Sequence, residues 1–495
     1  MRTRIRRAWS RTLPLVLALV AWSAAATVAA KPPVGTQQVL IIQVSPGQIK
    51  KIAARNQLTV LQTERDLGGD DLALVSLDAA GTPEQTAAAL VARETVIEKA
   101  EPLREFRAPD VLASAPVEQS PGAILEAAAL EGTIDLGVDP HGEARELWIG
   151  FADQPSSQII RLGEAHSRAS GKDIVIAVID SAIDTEHPVL ASQLLEGRDF
   201  LQDQGNGSLR TNGNGNGQAL ALLDQSTMAI LDQRTRAVLM NAGGIEAFQV
   251  DPSTSVLVEA GVGSELAGQI GPAFGHGTMV AGIIHLVAPR ARILPLRAFD
   301  ADGNGNTFDA VQAIHYAARE GATVINLSFT LDDDSETLAN AIAYALSWGA
   351  ICVASAGNDG SSVVVYPAAA PGAIGVAATD LADFVAPFSN YGGDVVELAA
   401  PGVSVITTYP GGTWAAASGT SFSTPWVSGA IALLAQRAAQ TGVPLDLDRA
   451  LAALSHSAEV NGSLALEVGY GRLNVIRALE NLSLEPSVAA GNGNQ

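Results

Sequence analysis

The sequence predicts an α/β protein in which helices cover both faces of a parallel β-sheet, preceded by a small α+β domain. Beyond residue 158, short apolar runs rich in Ile and Val alternate with helix-length segments, which is typical of buried parallel strands. The 495 residues are 47% hydrophobic, enough for several domains and a large core. The chain contains one cysteine, Cys352, which excludes an intrachain disulfide framework and a thiolate zinc cluster.

The charge balance argues against nucleic acid as a partner. Asp and Glu number 52 against 30 Lys and Arg, so the formal net charge is −22. Nucleic-acid-binding surfaces are usually basic, because they neutralise phosphates. We therefore expect no nucleic-acid partner, and we attribute the acidic surface to solubility.

Residues 1–30 have the pattern of an export signal. Five arginines precede an apolar run that ends in the small residues Val28, Ala29 and Ala30. This order is typical of a secretory signal peptide. We expect a secreted or periplasmic protein with no membrane span in the mature chain. An uncleaved anchor is the alternative, since the run just reaches spanning length.

The small domain is predicted in residues 37–107. Its runs follow the order β-α-β-β-α-β, which is the ferredoxin-like arrangement. The second helix is predicted to begin at Pro83, because proline is favoured in the first turn of a helix. The predicted strands are 39–44, 58–61, 72–77 and 96–106. The predicted helices are 47–56 and 83–92.

A linker is predicted in residues 108–157, where Ala, Pro, Glu, Ser and Gly dominate and only 123–130 suggests a short helix. The larger domain then covers residues 158–484, and residues 485–495 form a flexible, Gly-Asn-rich tail. The predicted strands of the larger domain are 174–179, 293–296, 324–327, 351–354 and 374–376. Its predicted helices are 276–285, 309–320 and 336–348.

Four polar residues stand at positions suited to chemistry. Asp180 ends an apolar strand, and ligands of open α/β sheets bind at the carboxyl ends of strands. His276 lies between two glycines at the start of a helical run. Ser421 lies where a tight turn enters a helix, and Asn358 follows a strand in a flexible turn. Taken singly, each also fits a structural role, as a helix cap, packing residue or turn residue.

The joint occurrence of these residues, in the chain order Asp, His, Asn, Ser, resembles the subtilisin-like serine peptidases, or subtilases. The resemblance covers about residues 159–484, most of the chain after the signal. Further segments match the family in order and spacing, namely 180–188, 298–328, 388–392, 400–402 and 469–472.

The resemblance implies a role for each of the four residues. Ser421 would be the nucleophile, and His276 the base that becomes the acid for the leaving amine. Asp180 would hold the imidazole in the required tautomer. Asn358 would donate to the oxyanion together with the Ser421 N–H. The implied enzyme is a serine endopeptidase that acts through an acyl-enzyme.

The resemblance also implies a cleft for polypeptide substrates. Two segments would flank the pocket for the residue before the scissile bond, and 303–306 would border a neighbouring subsite. These walls carry no charge, so we expect a preference for apolar side chains. The small domain resembles the family's inhibitory pro-domain, an intramolecular inhibitor that is cut off after residue 106 or within the linker. The residues expected to flank the pocket are Ser328, Phe329, Thr330, Ser355, Ala356 and Gly357.

The chain departs from the family pattern in three ways. Asp180 and His276 are 96 positions apart, which implies an insertion at about residues 200–272 with strand-like patches at 228–231, 237–240 and 255–259. Val189 stands where many relatives carry a calcium-binding Asp. Phe422, Trp426 and Met279 replace residues common in relatives, without removing a catalytic atom.

We expect no cofactor or catalytic metal. A structural calcium ion is compatible with the family, but no site for it can be assigned. The segment 300–306 has calcium-loop spacing but lacks the later glutamate, so a substrate-subsite loop explains it better. We expect a monomer.

Two other functions remain open at this point. An acid peptidase of the sedolisin type would carry a Glu in place of His276 and an Asp in place of Asn358. A degenerate relative that serves as a binding module would be expected to have lost at least one of the four residues.

Overall fold

The computed structural model of the chain describes residues 36–65, 70–107, 133–138, 144–201, 245–249, 254–259, 273–393, 395–460 and 468–484. The expected signal peptide, the helix at 123–130 and the tail lie outside these ranges. Within them, no helix combines the length and apolar character needed to cross a membrane.

The small domain has the predicted ferredoxin-like arrangement. Its four-stranded sheet has the order β2-β3-β1-β4, and the three pairings are antiparallel. The second helix begins at Pro83, and the Thr82 and Gln85 side chains form a capping box. The elements are β1 (Thr36–Val44), α1 (Ile49–Asn56), β2 (Thr59–Arg65), β3 (Asp71–Ala79), α2 (Pro83–Arg93) and β4 (Ile97–Pro102).

The prediction of one strand over residues 96–106 is wrong. The chain leaves the small sheet after Pro102 and forms a separate strand, β5 (Glu105–Arg107), which pairs with the larger domain. Proline lacks the N–H that would continue the ladder, so a strand can end there without loss of a donor.

The larger domain contains the described strands β6 (Thr133–Val138), β7 (Ala144–Trp148), β8 (Val175–Asp180), β9 (Arg198–Asp199), β10 (Ile245–Gln249), β11 (Thr254–Glu259), β12 (Arg292–Arg297), β13 (Asn304–Asn306), β14 (Val324–Leu327), β15 (Ile351–Ser355), β16 (Ala373–Thr379), β17 (Leu398–Pro401), β18 (Val405–Tyr409) and β19 (Thr413–Ala417). Its described helices are α3 (Ile149–Ala152), α4 (Pro155–Ile159), α5 (Leu162–His166), α6 (His276–Val287), α7 (Thr307–Arg319), α8 (Glu336–Ser347), α9 (Thr420–Thr441), α10 (Leu447–Ser455) and α11 (Val475–Leu484).

Seven of the described strands form a parallel sheet in the order β17-β16-β15-β14-β8-β12-β9. Alternate residues of β8 face opposite cores: Ile176 and Val178 pack with α6 and α9, whereas Ala177 and Ile179 pack with α7 and α8. Both faces of this strand are therefore buried, which explains its continuous apolar run. The α/β fold with helices on both faces is confirmed.

The structure differs from the expected linker at residues 108–157. The described part forms the hairpin β6–β7 and then the short helices α3 and α4. Phe151 is fully buried, and Gln154 is 1% exposed. The Gln154 side chain exchanges hydrogen bonds with the N–H and the carbonyl of Ile406. Residues 149–157 thus pack as part of the larger domain.

The described part of the expected insertion extends a hairpin of the larger domain. Strands β10 and β11 pair with each other, and β11 pairs antiparallel with β19, so the sheet order is β10-β11-β19-β18. The patch predicted at 255–259 is a strand. The patches at 228–231 and 237–240 lie outside the described residues.

We predict that Glu397 makes the larger domain less stable as the pH rises. This carboxyl precedes β17 and accepts the N–H of Gly375 at 2.5 Å, and burial raises its pKa to about 7. The folded state therefore holds the proton more tightly than the unfolded state. The resulting stabilisation is complete below the unfolded pKa near 4.5 and is lost as the pH rises through 7.

Glu397→Gln keeps the acceptor oxygen and removes the charge. Between pH 4.5 and pH 8 the variant should gain on the order of 2 kcal/mol of unfolding free energy relative to its parent. Denaturant unfolding of the variant and its parent at both pH values measures the change. A difference that is the same at both pH values would contradict the assignment.

Candidate active site

The structure brings Asp180 and His276 into direct contact. Asp180 ends β8 in the interior of the parallel sheet, and its carboxylate oxygen Oδ1 lies 2.7 Å from Nδ1 of His276. The same oxygen accepts the N–H of Ser181 at 2.6 Å. Both side chains are almost completely buried. Because the carboxylate accepts, Nδ1 carries the proton and Nε2 of the neutral ring is unprotonated, the form in which imidazole acts as a base.

His276 is the first residue of α6, and close contacts fix that helix. A Cβ on Gly277 would lie 2.5 Å from the carbonyl oxygen of Ser181, so the residue after His276 must be glycine for this contact to form. From the other side, the hydroxyls of Thr407 and Thr408 donate to the carbonyls of Met279 and Thr278. These contacts hold the first turn of α6, and with it the direction of the imidazole.

Ser421 lies in the first turn of α9. The N-cap position is Gly419, so the alternative role of Ser421 as a helix cap does not hold. Its Oγ lies 3.5 Å from the carbonyl oxygen of Ser328, at the carboxyl end of β14. The adjacent Phe422 packs against the His276 ring with a centroid distance of 5.3 Å. N–H groups of a first helical turn have no intrahelical acceptor, so that of Ser421 can serve an anion.

Asn358, three residues beyond β15, is held by the residue that precedes Ser421. Its Oδ1 accepts both the N–H and the hydroxyl of Thr420 at 2.9 Å. Thr420 Oγ1 also accepts the N–H of Gly357 at 3.1 Å. Because the amide oxygen is engaged in this way, the Nδ2 end of Asn358 is oriented as the donor end. Asn358 and the first turn of α9 are therefore positioned as one unit.

The arrangement suits acyl transfer. It combines a hydroxyl, an imidazole whose Nδ1 is bonded to a carboxylate, an oriented amide donor and a helix N-terminus. Asp180, Ser328 and Asn358 all lie at the carboxyl edge of the parallel sheet, where ligand sites of such sheets occur.

The strand β5 of the small domain lies along one border of this region. It pairs antiparallel with β13, in the register Glu105 with Asn306 and Arg107 with Asn304. Phe106 is 5% exposed; its ring stacks on Phe329 at 4.6 Å and meets Phe299 edge-on at 5.2 Å. A Cβ on Gly305 would lie 2.7 Å from the Phe106 ring, so the glycine makes room for this aromatic contact.

A cavity of about 670 Å³ adjoins this contact. It includes Thr330 but not the other five residues that were expected to flank the substrate pocket. Ser328, Phe329, Ser355 and Ala356 are fully buried. The expected border of the neighbouring subsite does line the cavity. The lining residues are Leu103, Glu105, Phe106, Leu201, Asp300, Asn304, Gly305, Asn306, Thr330, Leu331 and Asp332.

The loop at 300–306 is organised by its own side chains. Asp300 Oδ1 accepts the N–H groups of Asp302 and Asn304. Residues 304–306 of this loop form β13, which pairs with β5. In the part of the chain that the structure describes, no group of three or more His, Cys, Asp or Glu side chains is placed to hold a metal ion.

Two features of the site were missed by sequence reasoning. Thr420 carries the contact between Asn358 and α9, and its position beside Ser421 was the available signal. Phe106 was included in the wrong strand. As the last aromatic residue before the compositionally biased segment at 108–157, it was the available signal for an anchor.

Comparison with known proteins gives one consistent result. The model of the Subtilase family matches residues 171–471. The chain is 40% identical over 214 residues to the Thermophilic serine proteinase of Bacillus sp. (strain AK1), 32% over 327 residues to Thermitase of Thermoactinomyces vulgaris, and 41% over 172 residues to Subtilisin BL of Lederbergia lenta.

These alignments differ in how much of each protein they cover. The match to Thermitase covers 66% of this chain and 96% of Thermitase. The match to the Bacillus proteinase covers 41% of this chain and 52% of that protein, and the match to Subtilisin BL covers 33% and 64%. The chain thus spans only about half of the Bacillus proteinase, but nearly all of Thermitase.

We predict that Cys352 is chemically inert in the folded protein. It is fully buried in β15, and burial raises the pKa of its thiol to about 12. Since the thiolate is the reactive form, the group should stay protonated at pH 8. Iodoacetamide should not modify the native Ser421→Ala variant within hours and should add one label after unfolding, as read from intact mass. Equal labelling rates in both states would contradict this prediction.

Proposed function

The chain belongs to the subtilase family of serine-type endopeptidases, and we propose that it hydrolyses peptide bonds with Asp180, His276 and Ser421 as its catalytic triad. The observation that carries the proposal is the buried hydrogen bond, 2.7 Å long, between Asp180 and His276. A carboxylate in this position keeps the imidazole in the tautomer that can accept a proton, and stabilises the imidazolium that forms.

The proposed reaction has two halves. His276 takes the hydroxyl proton of Ser421 as Oγ bonds to the substrate carbonyl carbon. The tetrahedral intermediate collapses when the protonated His276 gives that proton to the departing amine nitrogen and the C–N bond breaks. Water then adds to the acyl-enzyme, with His276 again accepting and returning the proton, and a carboxylic acid and the free serine result.

The developing oxyanion would be bound by Asn358 and the Ser421 N–H. The support for this is the double contact of Thr420 with the Asn358 oxygen, which orients the amide before substrate arrives. Preorganised donors of this kind typically contribute about 3–4 kcal/mol of barrier lowering each.

We propose that the protein is made as a self-inhibited zymogen, in which residues 36–107 inhibit the larger domain. The support is the position of β5 and Phe106 at the cleft. Ion pairs join the two domains on the side of α7 and α8: Arg319 with Glu64 at 3.0 Å, and Arg104 with Asp333 at 2.6 Å. Residues 1–30 would direct export, to the periplasm or the outside of the cell.

The same contacts suggest a side-chain preference. A substrate that pairs with β13 as β5 does would place a residue between Phe299 and Phe329, and aromatic rings fit that space. Ser328, Phe329 and Ala356, which are expected to flank the pocket before the scissile bond, carry no charge, so an apolar residue is favoured there.

Self-processing is expected to depend on Ser421. Residues 31–495 of the wild-type chain should lose an N-terminal fragment by a cut after Phe106 or within the segment that follows it, because the proposed nucleophile would cleave its own chain there. Ser421→Ala should stay whole, since a methyl group cannot attack a carbonyl. Intact mass over time measures both, and a fluorophosphonate probe should label Ser421 in the wild type alone.

A trace of wild-type enzyme added to the Ser421→Ala variant provides the control. Release of the same single fragment in that mixture, with the remaining chain resisting digestion, shows that the variant is folded and that its processing site is accessible. Processing of the variant alone, at the wild-type rate, would rule out Ser421 as the nucleophile of this step. A wild-type chain that stays whole and unlabelled would overturn the proposed function.

Inhibition by the small domain is expected to depend on the Phe106 ring. Phe106→Ala removes a buried aromatic side chain, so the inhibition constant of the released small domain should rise about 100-fold. The matched control is Glu105→Ala, which alters an exposed side chain of the same strand and keeps the main-chain pairing. The rate of peptide hydrolysis by the processed enzyme, measured at several dilutions of the mixture of enzyme and released small domain, gives the inhibition constant. Equal effects of the two variants would contradict the role of Phe106.

A further inference from the structure

The helix that carries Ser421 has a proline where its first full turn closes. In an α-helix the carbonyl of residue i accepts the N–H of residue i+4, and Pro425 stands four residues after Ser421. Proline has no N–H, and its ring crowds that same carbonyl. The Ser421 carbonyl therefore cannot receive its helical hydrogen bond, although the residue is fully buried.

The hydroxyl of Ser328 supplies the missing donor. Its Oγ lies 3.1 Å from the Ser421 carbonyl oxygen, in a buried contact between the end of β14 and the first turn of α9. A buried carbonyl left without a donor would be costly, so this contact substitutes for the bond that the proline removes.

Asn326 fixes the direction of that hydroxyl. Its Nδ2 donates to Ser328 Oγ at 2.9 Å, and its Oδ1 accepts from Ser428 Oγ at 2.8 Å. Since Ser328 Oγ accepts from Asn326, its single hydrogen is available for the Ser421 carbonyl. Ser421, Pro425 and Ser428 follow the spacing i, i+4, i+7 and thus share the face of α9 that meets β14.

We propose that Ser328 is a positioning residue for the nucleophile, compensating through its side chain for the hydrogen bond that Pro425 denies to Ser421. The inference rests on the proposed function of Ser421. Fixing the Ser421 carbonyl fixes the peptide plane between Ser421 and Phe422, and so restrains the backbone from which the Ser421 side chain projects. This role of the side chain is separate from the substrate contact that was expected of Ser328.

The proposal predicts a coupling between two positions. Pro425→Ala restores an N–H that can reach the Ser421 carbonyl, so it should make the Ser328 hydroxyl dispensable. The test is a double-mutant cycle of Ser328→Ala and Pro425→Ala, with kcat and KM for one peptide substrate per site labelled by a fluorophosphonate probe. Ser423→Ala is the matched control, because this buried hydroxyl on α9 has no hydrogen-bond partner in the described part of the chain.

Ser328→Ala should lower kcat about tenfold with proline at position 425 and at most about twofold in the Pro425→Ala background. KM should change less than about twofold in both, since substrate binding is not altered. Ser423→Ala should leave kcat within about twofold of the wild type. An equal loss of kcat in both backgrounds, or an effect of Ser328→Ala on KM alone, would overturn the proposal.

Recovery of folded protein gives a second readout. If Ser328→Ala alone does not fold, the proposal requires that adding Pro425→Ala restores folded, labelled enzyme, and a double variant that also fails to fold contradicts it. Labelling of Ser421 in the wild type by the fluorophosphonate probe distinguishes failure of this inference from failure of the proposed function. A wild type that does not react at Ser421 refutes that function, whereas a reactive wild type without coupling refutes only the role of Ser328.

Discussion

The buried contact between a carboxylate and an imidazole sets the conditions that the rest of the larger domain must meet. Two ionisable groups out of water are tolerable only when each is held in place and paired. Asp180 is held because it ends a strand with neighbours on both sides, and His276 because its helix is bonded to the hairpin β18–β19. Their separation of 96 positions along the chain is accommodated because closure entropy grows slowly with loop length.

Ser421 is positioned differently, by a helix whose hydrogen-bond ladder is interrupted at Pro425. Pro425 leaves the Ser421 carbonyl dependent on Ser328 beyond β14, and the first-turn N–H of Thr420, which has no intrahelical acceptor in any case, is bound by Asn358 beyond β15. The position of Ser421 is therefore tied to the same edge that carries Asp180. The residues proposed as base, nucleophile and oxyanion donor thus all depend on contacts at one edge of the parallel sheet.

Sequence reasoning succeeded where the signal is local. Continuous apolar runs predicted strands such as β14 within a residue or two, because both faces of those strands are buried. It failed where the partner is distant in sequence. The edge strands β9 and β17 are short and were not predicted, and Gln154 was assigned to a linker although it bonds Ile406. No local pattern distinguishes a polar side chain that pairs across 252 positions from one that faces water.

The two additions to the catalytic unit dock at different places, and each place limits what the addition can do. The small domain ends in β5, a strand of only three residues, so main-chain pairing with β13 is brief, and the Phe106 ring, apolar side chains of the small sheet and ion pairs add to the contact. A short ladder is compatible with the proposed inhibitory role, since release after a cut breaks few main-chain hydrogen bonds. The insertion joins β19 instead of the parallel sheet. Because β19 ends at Ala417, shortly before α9 begins at Thr420, that hairpin joins the sheet next to the segment that leads into Ser421.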